Sequence, residues 1–331
     1  MRWKQLITIK DVAKEAEVSV ATVSRVLNNN GYVNEETRKK VEDAIKKLEY
    51  TPNAVARSLY KKQSRTIALI VPNITNPFFP EVARAIEDVM NSKDYTLILC
   101  NSDDQEEKEK KYFDMLRQKY VDGVIIVTST LKRMHIVKNK ITIVAVDRFI
   151  DKDIPYVSVD NMKGARQAVQ HLKAIGCQSI AHIRGPEDLP IAEERYQGYL
   201  KEVQHEAWFD ENLVLNGNFN IKLATEQTKK LLMENSDIDG IFAGNDYMAL
   251  GVIKAALELG KRIPEDLSVI GFDGINLAKL TNPELTTIAQ PIYQIGYKAA
   301  EILLDLIEGK PIQEYSHRLD VTLNIGQSTK R

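Results

Sequence analysis

From Thr66 onward one pattern recurs: a five-residue apolar run, rich in branched side chains, followed in many cases by an amphipathic helical stretch. The runs are IALIV (67–71), TLILC (96–100), GVIIV (123–127), TIVAV (142–146), SIAHI (179–183), GIFAG (240–244) and SVIGF (268–272). Alternating strands and helices of this kind predict parallel sheets wrapped by helices. About 260 residues is large for one such sheet, so two α/β lobes are expected.

Ligands of open parallel sheets sit beyond the carboxyl ends of the strands. Here those ends carry Asn73, Thr75 and Asn76, then Asn101, Ser102 and Asp103, then Asp147 and Arg148. Asp160, Asn161, Arg184, Asn245, Asp246, Asp273 and Gln290 follow. Carboxylates, amides and guanidinium groups are planar and fork-shaped, and they grip paired hydroxyls. A sugar also has apolar C–H faces, which flat rings suit. Phe78 and Phe79 stand on the turn after the first run and could cover one face, with Phe219 on the other. Position alone would make both phenylalanines core residues of the next helix. The fork-shaped neighbours favour a ligand.

The first 62 residues carry 13 Lys/Arg against 8 Asp/Glu, whereas the rest carries 32 against 38. A basic head on an acidic body points to a polyanionic partner for the head. Its first 50 residues read as three short helices. Thr8 opens the first, with Asp11 completing a capping box; Ile9, Val12, Ala13 and Ala16 form its stripe. Ser19 caps the second, Val20 to Leu27, whose inward stripe is Val23, Val26 and Leu27. Asn34 caps the third, with Val41, Ile45 and Leu48 inward. Two helices joined by a tight turn make a helix-turn-helix, and the second reads the major groove. Val20, Ala21, Ser24 and Arg25 lie off its stripe. Arg25 suits a bidentate contact to guanine, Val20 and Ala21 suit thymine methyl groups, and Thr22 and Asn28 suit phosphates.

Thr51–Pro52 then starts a helix of about eight residues. A helix this short is marginal alone and needs a partner or a ligand. Ala56 and Leu59 share a face that could pack on a dimer mate, with Leu59 as a minor-groove wedge and Arg57 near phosphates. An ordinary linker is the other reading that the patterning allows.

The stretch TIKDVAKEAEVSVATVSRVLNNNGYVNEETRKKVEDAIKKLEYTPNAVARSL resembles the headpiece and hinge of the lac repressor family of bacterial transcription regulators. The resemblance implies that Thr8, Ser19, Val20, Ala21, Thr22, Ser24, Arg25 and Asn28 meet DNA from the headpiece. It implies the same of Asn53, Ala56, Arg57 and Leu59 in the hinge. The body is similar to the periplasmic sugar-binding proteins, most closely the ribose-binding type. TNPFF then supplies Asn76, Phe78 and Phe79 to the effector, VDR supplies Asp147 and Arg148, and AEERYQGY supplies Arg195. NFN supplies Phe219, GNDYMALG Asn245, GFDG Asp273 and TIAQP Gln290. Glu193 and the loop Glu187–Ile191 depart from that pattern.

The resemblance therefore implies an all-α helix-turn-helix headpiece (1–50), a hinge helix and linker (51–63) and a two-lobed α/β effector domain of the type I periplasmic-binding class with parallel sheets. The first lobe is expected over 64–161 and 291–320, and the second over 162–290 and 321–331. The expected function is a dimeric repressor on palindromic operator DNA, controlled by a sugar, with ribose foremost. Another sugar, a purine or a phosphosugar are alternatives. A phosphocarrier protein partner is disfavoured by Glu301 and Asp305 on the helix Tyr297 to Ile307. No leucine-rich tail follows LNIGQSTKR, so a dimer rather than a tetramer is expected.

Other classes fit less well. MRWKQLITIKD lacks the apolar core of a secretion signal, which argues against a transport protein and for the cytoplasm. No apolar run approaches the roughly 18 residues of a membrane span. The sequence carries no GxSxG, GxxxxGK[ST] or HExxH motif, and no GxGxxG after the first strand, so no enzyme and no cofactor are expected. His135, His171, His182, His205 and His317 fit no metal-ligand spacing. Cys100 and Cys177 read as two buried thiols.

Overall fold

The computed structural model of the protein describes residues 7–51, 63–127 and 141–330. These fall into two compact units that divide after Ser64.

The first unit holds three helices, α1 (Ile9–Glu15), α2 (Val20–Asn28) and α3 (Glu35–Lys47). Each begins where a polar side chain satisfies an end N–H. The Thr8 N–H and hydroxyl both donate to Asp11 Oδ2, at 2.8 and 2.7 Å. Ser19 Oγ accepts from the Thr22 N–H and Asn34 Oδ1 from the Thr37 N–H. Such caps are worth about 1 kcal/mol each. Val12, Val23 and Val41, one from each helix, are fully buried in a shared core, with Leu27, Ile45 and Leu48 packed around it.

The second unit contains two six-stranded sheets. The first lobe is built from β1 (Thr66–Val71), β2 (Thr96–Asn101), β3 (Gly123–Ile126), β4 (Thr142–Val146) and β5 (Tyr156–Val159), with the later β11 (Ser316–Leu319) at its edge. Its order is β11-β5-β4-β3-β1-β2, parallel throughout. The helices α4 (Phe78–Asn91) and α10 (Ile292–Ile307) pack together, with α10 against β3 and β4. The helix α5 (Glu106–Gln118) joins a second apolar cluster. Strand side chains alternate between faces: Ile67, Leu69 and Val71 join the cluster that contains α4 and α10, while Ala68 and Ile70 meet Phe113 and Leu116 of α5. Coverage on both faces explains why these runs are apolar throughout instead of alternating.

The second lobe has β6 (Ile180–Arg184), β7 (Val214–Asn216), β8 (Gly240–Ala243), β9 (Ser268–Asp273), β10 (Thr286–Ala289) and β12 (Thr322–Asn324). Its order is β12-β10-β9-β8-β6-β7, and only the edge strand β12 runs antiparallel. The expectation of parallel sheets needs that one amendment. Two helix pairs accompany this sheet: α6 (Asn161–Ala174) with α7 (Pro190–Val203), and α8 (Ile221–Glu234) with α9 (Asp246–Glu258). The chain passes between the sheets three times, after β5, after β10 and after β11. The helix expected from Tyr297 begins earlier, at Ile292. Among the described residues no helix is long and apolar enough to cross a membrane.

Candidate functional site

In the headpiece, α2 presents Val20, Ala21 and Arg25 to solvent, with Val20 at 40% exposure. None of the three takes part in the headpiece core. Part of the polar set is already engaged on the helix. The Ser19 and Thr22 hydroxyls lie 2.9 Å apart, and Asn28 Nδ2 donates to the Ser24 carbonyl at 2.9 Å. Thr8 and Ser19 hold helix starts and are themselves exposed. Asn53, Ala56, Arg57 and Leu59 lie outside the described residues, as does the short helix expected there.

In the second unit a cavity of about 340 Å³ opens beyond the carboxyl ends of the strands. Asn76, Phe78, Phe79, Asp147, Arg148, Arg195, Phe219, Asn245, Asp273 and Gln290 all line it. The first lobe supplies Asn76, Phe78 and Phe79 from the β1–α4 turn, and Asp147 and Arg148 after β4. The second supplies Arg195 from α7, Phe219 from the turn before α8, Asn245 at the cap of α9, Asp273 ending β9 and Gln290 after β10. Phe78 is both a core residue, at 4% exposure, and a wall of the cavity. Its ring meets that of Phe79 edge to face, with centroids 5.3 Å apart. Phe219 closes on Gly185, where a Cβ would stand 2.5 Å from the ring.

Arg195 is the centre of the polar network and is 2% exposed. Its Nε donates to Asn161 Oδ1 at 2.9 Å and its Nη1 to the Gly244 carbonyl at 2.6 Å, while Asp273 Oδ1 lies 3.2 Å from Nη1. Its guanidinium stacks 3.8 Å from the Phe272 ring centroid. Gln290 Nε2 donates to the same Asp273 oxygen at 2.8 Å. Two buried acceptors point the other way: Asp147 Oδ1 and Gln290 Oε1 have no hydrogen-bond partner among the described residues. A buried polar atom without a partner carries a penalty of about 1–3 kcal/mol, which a hydroxyl-bearing ligand would relieve. Burial pushes the Asp147 carboxyl up to about 7, with Arg195 pulling it back only in part. Burial also raises Asp273, against the pull of Arg195, and lowers Arg148, which Glu109 opposes.

The backbone is strained at the same places. Asp147, Asn218, Phe219 and Asp273 have φ of 58°, 50°, 52° and 113°. Non-glycine residues held there cost about 1–3 kcal/mol each and gather at functional sites. The turn after β9 is pinned by Asp246, whose Oδ2 accepts from the Gly274 and Ile275 N–H at 2.7 and 2.9 Å. Asp246 Oδ1 also accepts from the Thr287 hydroxyl. Asn245 caps α9 through the Met248 N–H.

Not every fork-shaped residue at a strand end reaches the cavity. Asn101 Oδ1 accepts from the Ile74 N–H, and Asp103 pairs with Lys108. Asp160 caps α6, Asn161 orients Arg195, and Arg184 pairs with Glu193 at 2.9 Å. Conversely, Asp104, Asn218 and Asn220 line the cavity without having been singled out, and Asp188, Leu189 and Ile191 line it from the loop that departs from the ribose-binding pattern. Asp104 and Asp188 stand three and four residues beyond β2 and β6, whereas Asn218 and Asn220 follow β7, which left no five-residue apolar run in the sequence.

Two family models account for both units. "Bacterial regulatory proteins, lacI family" matches residues 8–53, and "Periplasmic binding proteins and sugar binding domain of LacI family" matches residues 64–327. The chain belongs to the LacI family. The ribose operon repressor of Halalkalibacterium halodurans is 50% identical over 325 residues, 98% of each protein. Among solved structures, the lac repressor dimer bound to operator and the anti-inducer ONPF aligns with a TM-score of 0.86 at 28% identity, over 98% of this chain and 99% of that one. A LacI family regulator from Enterococcus faecium with bound ribose aligns with a TM-score of 0.72 at 32% identity, over 80% and 98%. These family relatives are regulators of transcription.

Proposed function

We propose that the protein is a cytoplasmic transcriptional repressor, not an enzyme, that binds a palindromic operator as a homodimer and is controlled by ribose held in the cleft. The observation that carries the sugar reading is the cavity itself. Two buried acceptors without a hydrogen-bond partner among the described residues, Asp147 Oδ1 and Gln290 Oε1, share it with a tethered guanidinium and three aromatic rings. Such a site offers acceptors and donors to hydroxyl edges and flat apolar surfaces to C–H faces. The 50% identical ribose operon repressor and the ribose-bound family structure support ribose over other sugars.

In this reading Val20, Ala21 and Arg25 read base edges, while Thr8, Ser19, Thr22, Ser24 and Asn28 contact the backbone or hold the reading helix. Asn53, Ala56, Arg57 and Leu59 add hinge contacts, with Leu59 as the wedge. Ribose bridges both lobes, and its differential affinity for closed and open clefts sets the operator affinity. A coupling of about 1–3 kcal/mol is typical of such switches. It is comparable to what a short hinge helix needs to stay folded, and the loss of phosphate contacts would steepen with salt.

Calorimetry with ribose, other sugars and purines, together with gel shifts on the protein's own upstream DNA, tests this. Ribose should bind most tightly and should change operator affinity. Ribose binding that is undiminished in Arg148→Ala would remove the cleft assignment. Operator affinity that is unchanged in Leu59→Ala at moderate salt would remove the wedge.

A further inference from the structure

Two carboxylates at the cleft were assigned no part in holding the sugar. Asp104 comes from the first lobe, between β2 and α5, and Asp188 from the second, between β6 and α7. Both line the cavity and both are exposed at its mouth. Their acidic neighbours are neutralised: Asp103 pairs with Lys108 at 2.5 Å, and Glu187 accepts from Asn216 at 3.0 Å with Arg184 at 3.9 Å. Neither Asp104 nor Asp188 has an ion pair or a hydrogen bond among the described residues. Consecutive left-handed residues, with φ of 54° at Asp103 and at Asp104, hold the first carboxylate in place.

Neither cation that lines the cavity is exposed at its mouth. Arg195 is already held by Asn161, Gly244 and Asp273. Arg148 lies in the field of Glu109. Burial first, and then the like charges of Glu109, Asp188 and Asp103, raise the Asp104 carboxyl above its ordinary range. A neutral polyol entering such a site meets hydrogen-bond acceptors. A phosphate ester meets like charge at the mouth, where the exposed charged lining residues are both carboxylates, Asp104 and Asp188.

We propose that Asp104 and Asp188, one from each lobe, make the cleft select uncharged sugars and reject their phosphate esters. This rests on reading the cleft as a sugar site and adds the residues that set its charge preference. It makes the protein a sensor of sugar before phosphorylation, the reaction that consumes its ligand.

The test is calorimetry of the full chain with ribose and with ribose 5-phosphate, at low and high salt. It compares wild type, Asp104→Asn, Asp188→Asn and the double variant, with circular dichroism to confirm folding. Wild type should prefer ribose, and that preference should weaken with salt, as screening of exposed charge requires. The double variant should lose about tenfold or more of the preference, with the single variants intermediate. A preference that is unchanged in the double variant, or equal binding of both ligands by wild type, would overturn the proposal. If the double variant does not fold, rejection that is insensitive to salt in wild type and unchanged in the single variants overturns it equally. A wild type that binds no ribose at all fails the sugar reading instead.

Discussion

The headpiece and the cleft solve opposite problems. Residues assigned to reading DNA sit exposed on α2, outside the Val12–Val23–Val41 core. Most residues assigned to the ligand are buried, and several are strained or short of partners: Arg195 at 2% exposure, Asp273 at 4% with φ 113°, Asp147 at 7% with φ 58°. One surface can change its specificity without touching its fold. The other cannot, because its functional groups are also part of its interior.

The contrast is broken most forcefully at Arg195. Arg195→Ala leaves Asp273 buried without its cation, and loss of one partner of a buried pair costs about 3–5 kcal/mol. Urea denaturation should show that loss, and calorimetry should show sugar binding abolished. Full stability in this variant would end the claim that the cleft is structural. Arg25→Ala is the counterpart. Operator affinity should fall by about 1–3 kcal/mol, as for a lost bidentate base contact, while stability moves by less than about 0.5 kcal/mol. Gel shifts and denaturation on one preparation check both.

Proton linkage sharpens the comparison further. The raised Asp147 pKa, about 7, means that the empty cleft favours the neutral acid. Its contribution to stability is full at low pH and is lost as pH rises through about 7. Sugar hydroxyls that donate to the carboxylate favour the charged form, so binding releases a proton and affinity rises with pH up to about 7, then levels. Titrations in buffers of different ionisation enthalpy read that proton directly, and Asp147→Asn should flatten the profile. The smallest effect is in the headpiece. Asn34→Ala removes the cap of α3 and should cost about 1 kcal/mol of headpiece stability, visible as a lower melting temperature with sugar affinity unchanged.

Much of this was legible before any coordinates. The seven apolar runs became strands to within a residue or two, because parallel strands covered on both faces leave an unbroken apolar signature. The three caps at Thr8, Ser19 and Asn34 read directly, since side-chain capping is local chemistry. The strands at Tyr156–Val159, Val214–Asn216, Thr286–Ala289, Ser316–Leu319 and Thr322–Asn324 were not among those runs. They are three or four residues long, and those at the sheet edges are half exposed. All ten residues assigned to the ligand converge on one cavity. Asn101, Asp160 and Asp246 look identical in sequence but hold turns and helix starts. The same amide or carboxylate that grips a hydroxyl also caps a helix, and only the direction of the side chain separates the two uses.

The threading of the two sheets has a consequence for biosynthesis. β11 completes one sheet and β12 the other, and both come from residues 316–324. While these residues are still inside the ribosome, β5 and β10 each face outward with unpaired backbone, an invitation to stray strand pairing. The headpiece has every contact of its own core by then. Released chains truncated just before residue 316 should therefore carry a folded head on a sticky body, the form most in need of a chaperone.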